Sequence, residues 1–144
     1  MKKIVKPLVS SLFLSLVIGL QVFAQAPLNP QQQPPTLDPR LLMKAKDVKL
    51  LVERKIPLVI DVRDSYSYKV EHIATAISFP YTSMSQLKQF PFPKDKLIVT
   101  YCGCPHHLSG LSAMLLIKNG YQHIRVLDEG FNVWKQQGYP VVKG

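Results

Sequence analysis

The chain lacks internal repeats, and 144 residues at 47% hydrophobic and 19% charged hold one ordinary globular domain and hardly two. It has no basic stripe interleaved with aromatics, which argues against nucleic acid as a partner. Acidic residues are scarce, 9 against 18 lysines and arginines, for a formal net charge of +9. A diffuse excess of this kind suits a solvated surface and attraction to small anions. Cysteine is scarcer still: Cys102 and Cys104 are the only two, one residue apart. None follows the one long apolar run at the N-terminus, so a lipid-anchored start is not expected.

That run has the layout of an export signal. Lys2, Lys3 and Lys6 make a basic start, "LVSSLFLSLVIGLQVFA" is apolar and diluted by serines, and "AQA" at 24–26 offers the small-x-small site of signal peptidase. Residues 1–26 are therefore expected to be a signal peptide, cleaved after Ala26, and the protein periplasmic or secreted. The alternative is an uncleaved anchor in the inner membrane, the only membrane contact the sequence suggests. Removing these residues takes away three lysines and no acids, leaving 15 − 9 = +6. Residues 27–39, "PLNPQQQPPTLDP", are rich in proline and glutamine and read as an extended linker. Residues 40–144 are the folded domain.

In that domain strand-like and helix-like segments alternate. "AKDVKLLVERK" puts Val48, Leu51 and Val52 on one helical side, and Pro57 ends it. "LVIDV" and "KLIVTY" are short apolar runs suited to strands buried on both faces, and "AISF" is a weaker one. Asp64 is placed to cap the helix in "DSYSYKVEH", "MSQLKQF" reads as a short helix ended by the prolines at 91 and 93, and Ser109 is placed to cap "SGLSAMLLIKNG". There Leu111, Leu115 and Leu116 are expected to be buried, and Gly120 to close the helix. "HIRVL" and "GFNVWKQQG" add one more strand and helix. The alternation predicts an α/β fold, a small parallel β-sheet flanked by helices on both faces. Ligands of such sheets sit at the carboxyl ends of the strands.

At one of those ends lies "IVTYCGCPHHLSG", residues 98–110. Cys102 follows a strand, and residues 103–108 lead to the helix expected at Ser109. If they curl, their N–H groups and the helix N-terminus face the Cys102 sulfur, favouring the thiolate and an anionic adduct such as a persulfide. Cys102 is thus the candidate nucleophile. Gly103, Cys104, His106, His107, Leu108 and Ser109 form the candidate substrate or anion-binding loop.

Three separated stretches resemble one known family. "LVIDVRDSYSYKVEHIATAISFP", "IVTYC" and "VLDEGFNVWKQQGYPV" are similar, in that order, to the Asp-Val-Arg strand with its downstream Gly-His-Ile segment, the cysteine strand and the closing Trp-x-x-x-Gly-x-Pro-Val of rhodanese-like domains. The resemblance runs from about Ala45 to Val142. It implies a small α/β sulfurtransferase whose cysteine takes sulfur from a donor such as thiosulfate, holds it as a persulfide and yields it to a thiophilic acceptor. Cys102 would be the carrier, with Asp61, Arg63 and His72 in support and Trp134 and Gly138 at structural positions. The implied partners are a small sulfur-donor anion and a thiol acceptor, and no cofactor is expected.

The chain departs from the family within the loop. The common single-domain form reads Cys-x-x-Gly-x-Arg-Ser, whereas here the loop is one residue longer and Leu108 precedes the serine. The longer loop is similar to that of phosphatase relatives. Those use an arginine clamp, and no arginine lies between Cys102 and Ala113, which argues against phosphatase activity. Positive charge would have to come from His106, His107 or Arg63, and Pro105 removes one N–H from the loop. Glu71 stands where the family often has glycine. Two alternatives follow from the extra residues. Cys104 could attack a persulfide on Cys102 and leave a disulfide, making a thiol oxidoreductase. Or the loop could serve a module without turnover that holds a persulfide or binds Cu(I) or Zn(II) through Cys102, Cys104, His106 and His107, although ligands so close in sequence do not easily share one tetrahedral ion.

Overall fold

The computed structural model of the chain describes residues 36–144. The expected signal peptide and most of the expected linker lie outside the described residues. The domain reaches back before Arg40. Leu37 packs against Gly110, where an added Cβ would stand 3.2 Å from Leu37 Cδ2, and Asp38 caps a short 3-10 turn at Pro39–Leu41. Among the described residues no helix is long and apolar enough to cross a membrane.

The elements are β1 (Leu42–Met43), α1 (Ala45–Glu53), β2 (Leu58–Asp61), α2 (Ser65–Val70), β3 (His72–Ile73), β4 (Ile77–Ser78), α3 (Tyr81–Met84), β5 (Ile98–Tyr101), α4 (His107–Lys118), β6 (Ile124–Leu127), α5 (Gly130–Gln136) and β7 (Val141–Val142). Five strands form a sheet in the order β1-β6-β5-β2-β4, and every pairing in it is parallel. Strands β3 and β7 make a separate antiparallel pair. The α/β fold expected from the alternation is the fold observed, with the apolar runs "LVID" and "IVTY" side by side at the centre, Asp61 opposite Tyr101.

Strand alternation divides the core into two layers. Val59, Val99 and Tyr101 join Val48, Val52, Phe131 and Trp134 on the side of α1 and α5. Ile60, Ile98 and Cys102 join Met84, Ala113 and Leu116 on the side of α3 and α4. The same alternation therefore turns Tyr101 toward one layer and Cys102 toward the other. Trp134 is fully buried, its Nε1 donating to Pro140 O at 3.0 Å, and Gly138 takes a φ of +67° that turns the chain into β7.

Several local expectations hold, and others need correction. Asp64 caps α2, accepting from Ser67 N at 2.9 Å, and Gly120, with φ +85°, follows the end of α4. Helix α1 ends before Pro57, with Lys55 in the left-handed region at φ 54°. The helix expected over "MSQLKQF" is instead the single turn of α3, set by Pro80 before it, and from Ser85 to Gln89 the chain buries nothing that would favour a helix. Helix α4 begins at His107, two residues before the expected cap at Ser109. Its buried face is accordingly Ser109, Gly110, Ser112, Ala113 and Leu116, while Leu111 and Leu115 are only half-buried. Small residues there let the first turn of α4 approach the sheet closely.

Candidate functional site

Cys102 follows β5 and is 2% exposed, against the first turn of α4. Its sulfur lies 3.3 Å from Ser109 Oγ, and the thiol donates to Cys104 O at 3.1 Å. Ser109 is held by Thr100, whose hydroxyl donates to Ser109 O at 3.0 Å. Early helix onset thus converts Ser109 from the expected cap into a side chain that faces the Cys102 sulfur.

The loop is held from the other side by α5. Phe131 N donates to Cys102 O at 2.8 Å and Asn132 N to Gly103 O at 3.1 Å. Gly130, with φ +75°, makes this approach feasible: a Cβ there would stand 2.6 Å from Cys104 O. Sequence reading did not select Gly130, although its place in the closing segment was the available signal. These bonds also correct the expected cradle of N–H groups. Among the described residues no backbone N–H is bonded to the Cys102 sulfur; the Cys104 carbonyl points at it instead. The first two loop carbonyls are drawn to α5, Pro105 has no N–H to offer, and His106 turns the chain with φ 27°, a strained value for a residue other than glycine.

Asp61 and Arg63 form a network at the end of β2, with Arg63 also on the wall of the cleft above Cys102. Arg63 Nε lies 3.0 and 3.1 Å from the two Asp61 oxygens, and Nη2 donates to Asp61 Oδ2 at 2.6 Å and to Glu71 O at 2.6 Å. The Tyr101 hydroxyl donates to Asp61 Oδ2 at 2.6 Å and accepts from Ile73 N at 3.1 Å. Burial, then the Asp61 carboxylate, pushes the Tyr101 hydroxyl far above its ordinary range, so it stays a donor. Burial works against the Arg63 charge, but its bonds to Asp61 more than offset this and raise its pKa. The guanidinium lies 4.1 Å from the Phe131 ring centre. Asp61 is fully buried and the Arg63 side chain 14% exposed, so most of the pair is withdrawn from solvent. Tyr101, the centre of this network, was missed as a site residue because its apolar strand context gives no sign of where the hydroxyl goes.

The remaining candidates separate. His72 is buried in β3, stacked on Tyr68 with Nδ1 2.9 Å from Tyr68 O, and is absent from the cleft wall. Glu71 pairs with Lys135, whose hydrogen bond lowers its pKa. His106 turns toward Asp128, its Nε2 3.6 Å from Oδ1. Gly103, Cys104, His107 and Leu108 line the cleft above Cys102, a volume of about 370 Å³ whose other walls include Val62, Arg63, Asp64, Pro80 and Tyr81. Both cysteines are free thiols, Cys102 buried and Cys104 exposed. Among the described residues no three His, Cys, Asp or Glu side chains gather closely enough to hold a metal ion. The Cys102, Cys104, His106 and His107 set considered from spacing is split, with Cys102 buried against Ser109 and His106 turned to Asp128.

Residues 44–137 match the family model described as the rhodanese-like domain. The thiosulfate sulfurtransferase GlpE of Coxiella burnetii is 35% identical over 86 residues, 59% of this chain and 78% of that protein. GlpE of Vibrio cholerae is 27% identical over 92 residues, covering 63% of this chain and 84% of its own. Among solved structures, the rhodanese-like domain of an Anabaena protein aligns with a TM-score of 0.65 at 24% identity, over 72% of this chain and 80% of that one. A Bacillus halodurans protein aligns with a TM-score of 0.63 at 27% identity, over 70% and 75% of the two chains.

Proposed function

Since this chain belongs to the rhodanese-like domain family, we propose that it is an exported sulfurtransferase that carries sulfane sulfur as a persulfide on Cys102 and passes it to a thiol acceptor. The observation that carries this reading is the position of Cys102: a nucleophilic residue type at the end of a central parallel strand, beneath a cleft, with a hydroxyl against its sulfur. In the loading step the Cys102 thiolate bonds to the outer sulfur of a donor. The donor's S–S bond breaks, and its electron pair leaves with the remaining fragment. In the unloading step the acceptor thiolate takes that outer sulfur and returns Cys102 to the thiolate. Ser109 Oγ can donate to the sulfur whenever it carries negative charge.

Loss of the Cys102 proton reverses the sense of the Cys104 carbonyl contact, from a hydrogen bond to a repulsion between two acceptors. The loop must then swing this carbonyl away, and the strained φ of His106 puts one source of that movement inside the loop. Export is supported by the basic start, the apolar run and "AQA" at 24–26.

Mass spectrometry of the protein purified from cells tests both parts. A mature chain beginning after Ala26 supports export. A gain of one sulfur on Cys102 after exposure to sulfane donors supports the carrier role. Absence of that gain across several donors would falsify it.

A further inference from the structure

We propose that the Cys102 cleft selects a sulfur donor of lower charge, an organic persulfide R–S–SH or its monoanion, over a small dianion such as thiosulfate. The inference rests on the persulfide chemistry proposed above and concerns which donor supplies it. Although the chain as a whole is strongly basic, its positive charge is not delivered to this cleft. The cation on the wall is Arg63, and its Nε and Nη2 donate to Asp61 and to the Glu71 carbonyl, so the Asp61–Arg63 pair is neutral in sum. What Arg63 presents toward the loop is its stem, with Cδ 4.0 Å from where a Gly103 Cβ would stand.

The other charges on the wall give a dianion no help. Asp64 is held below the ordinary carboxylate range by the Ser67 hydroxyl and N–H, and so faces the cleft as an anion. His107 stands at the exposed rim and adds at most one positive charge. Two carboxylates thus stand against one guanidinium and at most one imidazolium. A dianion would surrender hydration to a wall of Val62, Pro80, Tyr81 and Leu108 without a net opposite charge in return. The same wall favours the apolar part of an organic persulfide, and about 370 Å³ is room for a small R group. Leu108 is the specificity-determining position, because it puts an apolar side chain on the cleft immediately before Ser109, the residue that touches the nucleophile.

The step balances without a further reactant. Cys102–SH and R–S–SH give Cys102–S–SH and R–SH: the bond between the two donor sulfurs breaks as the Cys102 sulfur bonds to the outer one, and the electron pair and a proton leave with R–SH.

The full chain, reduced, is exposed to equal concentrations of thiosulfate or of the persulfide of 2-mercaptoethanol. Loading is followed by intact-mass spectrometry with peptide mapping to Cys102, with Cys102→Ser as the blank. The persulfide is expected to load roughly tenfold faster or more. Leu108→Arg is expected to raise thiosulfate loading by about tenfold without a matching gain for the persulfide. Equal or faster loading of the wild type by thiosulfate overturns the preference while leaving the carrier function standing. A folded Leu108→Arg protein with an unchanged donor ratio overturns the assignment to Leu108. Loading by neither donor removes the carrier function and this inference with it. The wild-type ratio decides the preference whether or not the variant folds.

Discussion

Tyr101 and Cys102 are adjacent in sequence and face opposite layers of the sheet. Both are buried, yet they stand in different surroundings. The Tyr101 hydroxyl is fixed by one donor and one acceptor, and its acceptor Asp61 is in turn held by Arg63. The Cys102 thiol has one carbonyl and one hydroxyl near it, and the carbonyl contact lasts only while the sulfur keeps its proton. A saturated polar network resists change on one face, and an easily reversed contact permits it on the other. The strand end is thus built as a rigid half and a yielding half, with the peptide between the two residues as their boundary.

Cys102→Ser would break the comparison most completely. It should abolish sulfur loading, measured by intact mass, while leaving thermal unfolding close to wild type. On the rigid half, Asp61→Asn should lower stability by about 3–5 kcal/mol in a denaturant titration, because it splits a buried pair and leaves the guanidinium without its counter-charge. Gly130→Ala comes next, at about 1–3 kcal/mol, since its φ of +75° and the Cys104 carbonyl, 2.6 Å from where a Cβ would stand, both oppose a side chain. Its effect should extend across the boundary and slow loading too. A Gly130→Ala protein of reduced stability but unchanged loading rate would show that α5 does not set the loop. On the yielding half, Ser109→Ala should slow loading by about fivefold, the equivalent of one ordinary hydrogen bond, with little change in stability.

The smallest expected effect is a pH dependence. Glu71 has its pKa depressed by Lys135, so its contribution to stability is present above the ordinary carboxylate range and is lost as pH falls through the lowered folded-state value. The melting-temperature difference between wild type and Glu71→Gln should therefore be small at neutral pH and disappear in acid. A difference that grows on acidification would contradict the pairing.

Much of this arrangement is legible in the sequence. The apolar runs at 58–61 and 98–101, the Asp64 cap and the Gly120 stop depend on short-range preferences, and the structure has each of them. Cys102 could be singled out because a strand end followed by a helix start limits where it can lie. What could not be read is the orientation of individual peptides. Whether the loop turns N–H groups or a carbonyl toward sulfur depends on α5, about 30 residues downstream in a chain whose helical stretches rise about 1.5 Å per residue; spacing within the loop carries no trace of it. The onset of α4 at His107 escaped for a similar reason. Ser109 is a strong capping residue type by propensity, but here its carbonyl is engaged by Thr100 and its hydroxyl lies against the Cys102 sulfur. Side chains held by partners remote in sequence, such as the Tyr101 hydroxyl by Asp61 and Ile73, escape in the same way.

The two bonds from Phe131 and Asn132 to the Cys102 loop also bear on the order in which the protein comes into being. During synthesis Cys102 emerges well before α5, so its thiol exists for an interval on a chain with neither its loop anchors nor a finished second layer. The loop takes its final shape only when α5 has been added and docked. A nascent chain that stops short of α5 thus carries the cysteine without its loop anchors, and the shape of the loop becomes a mark that α5 has docked.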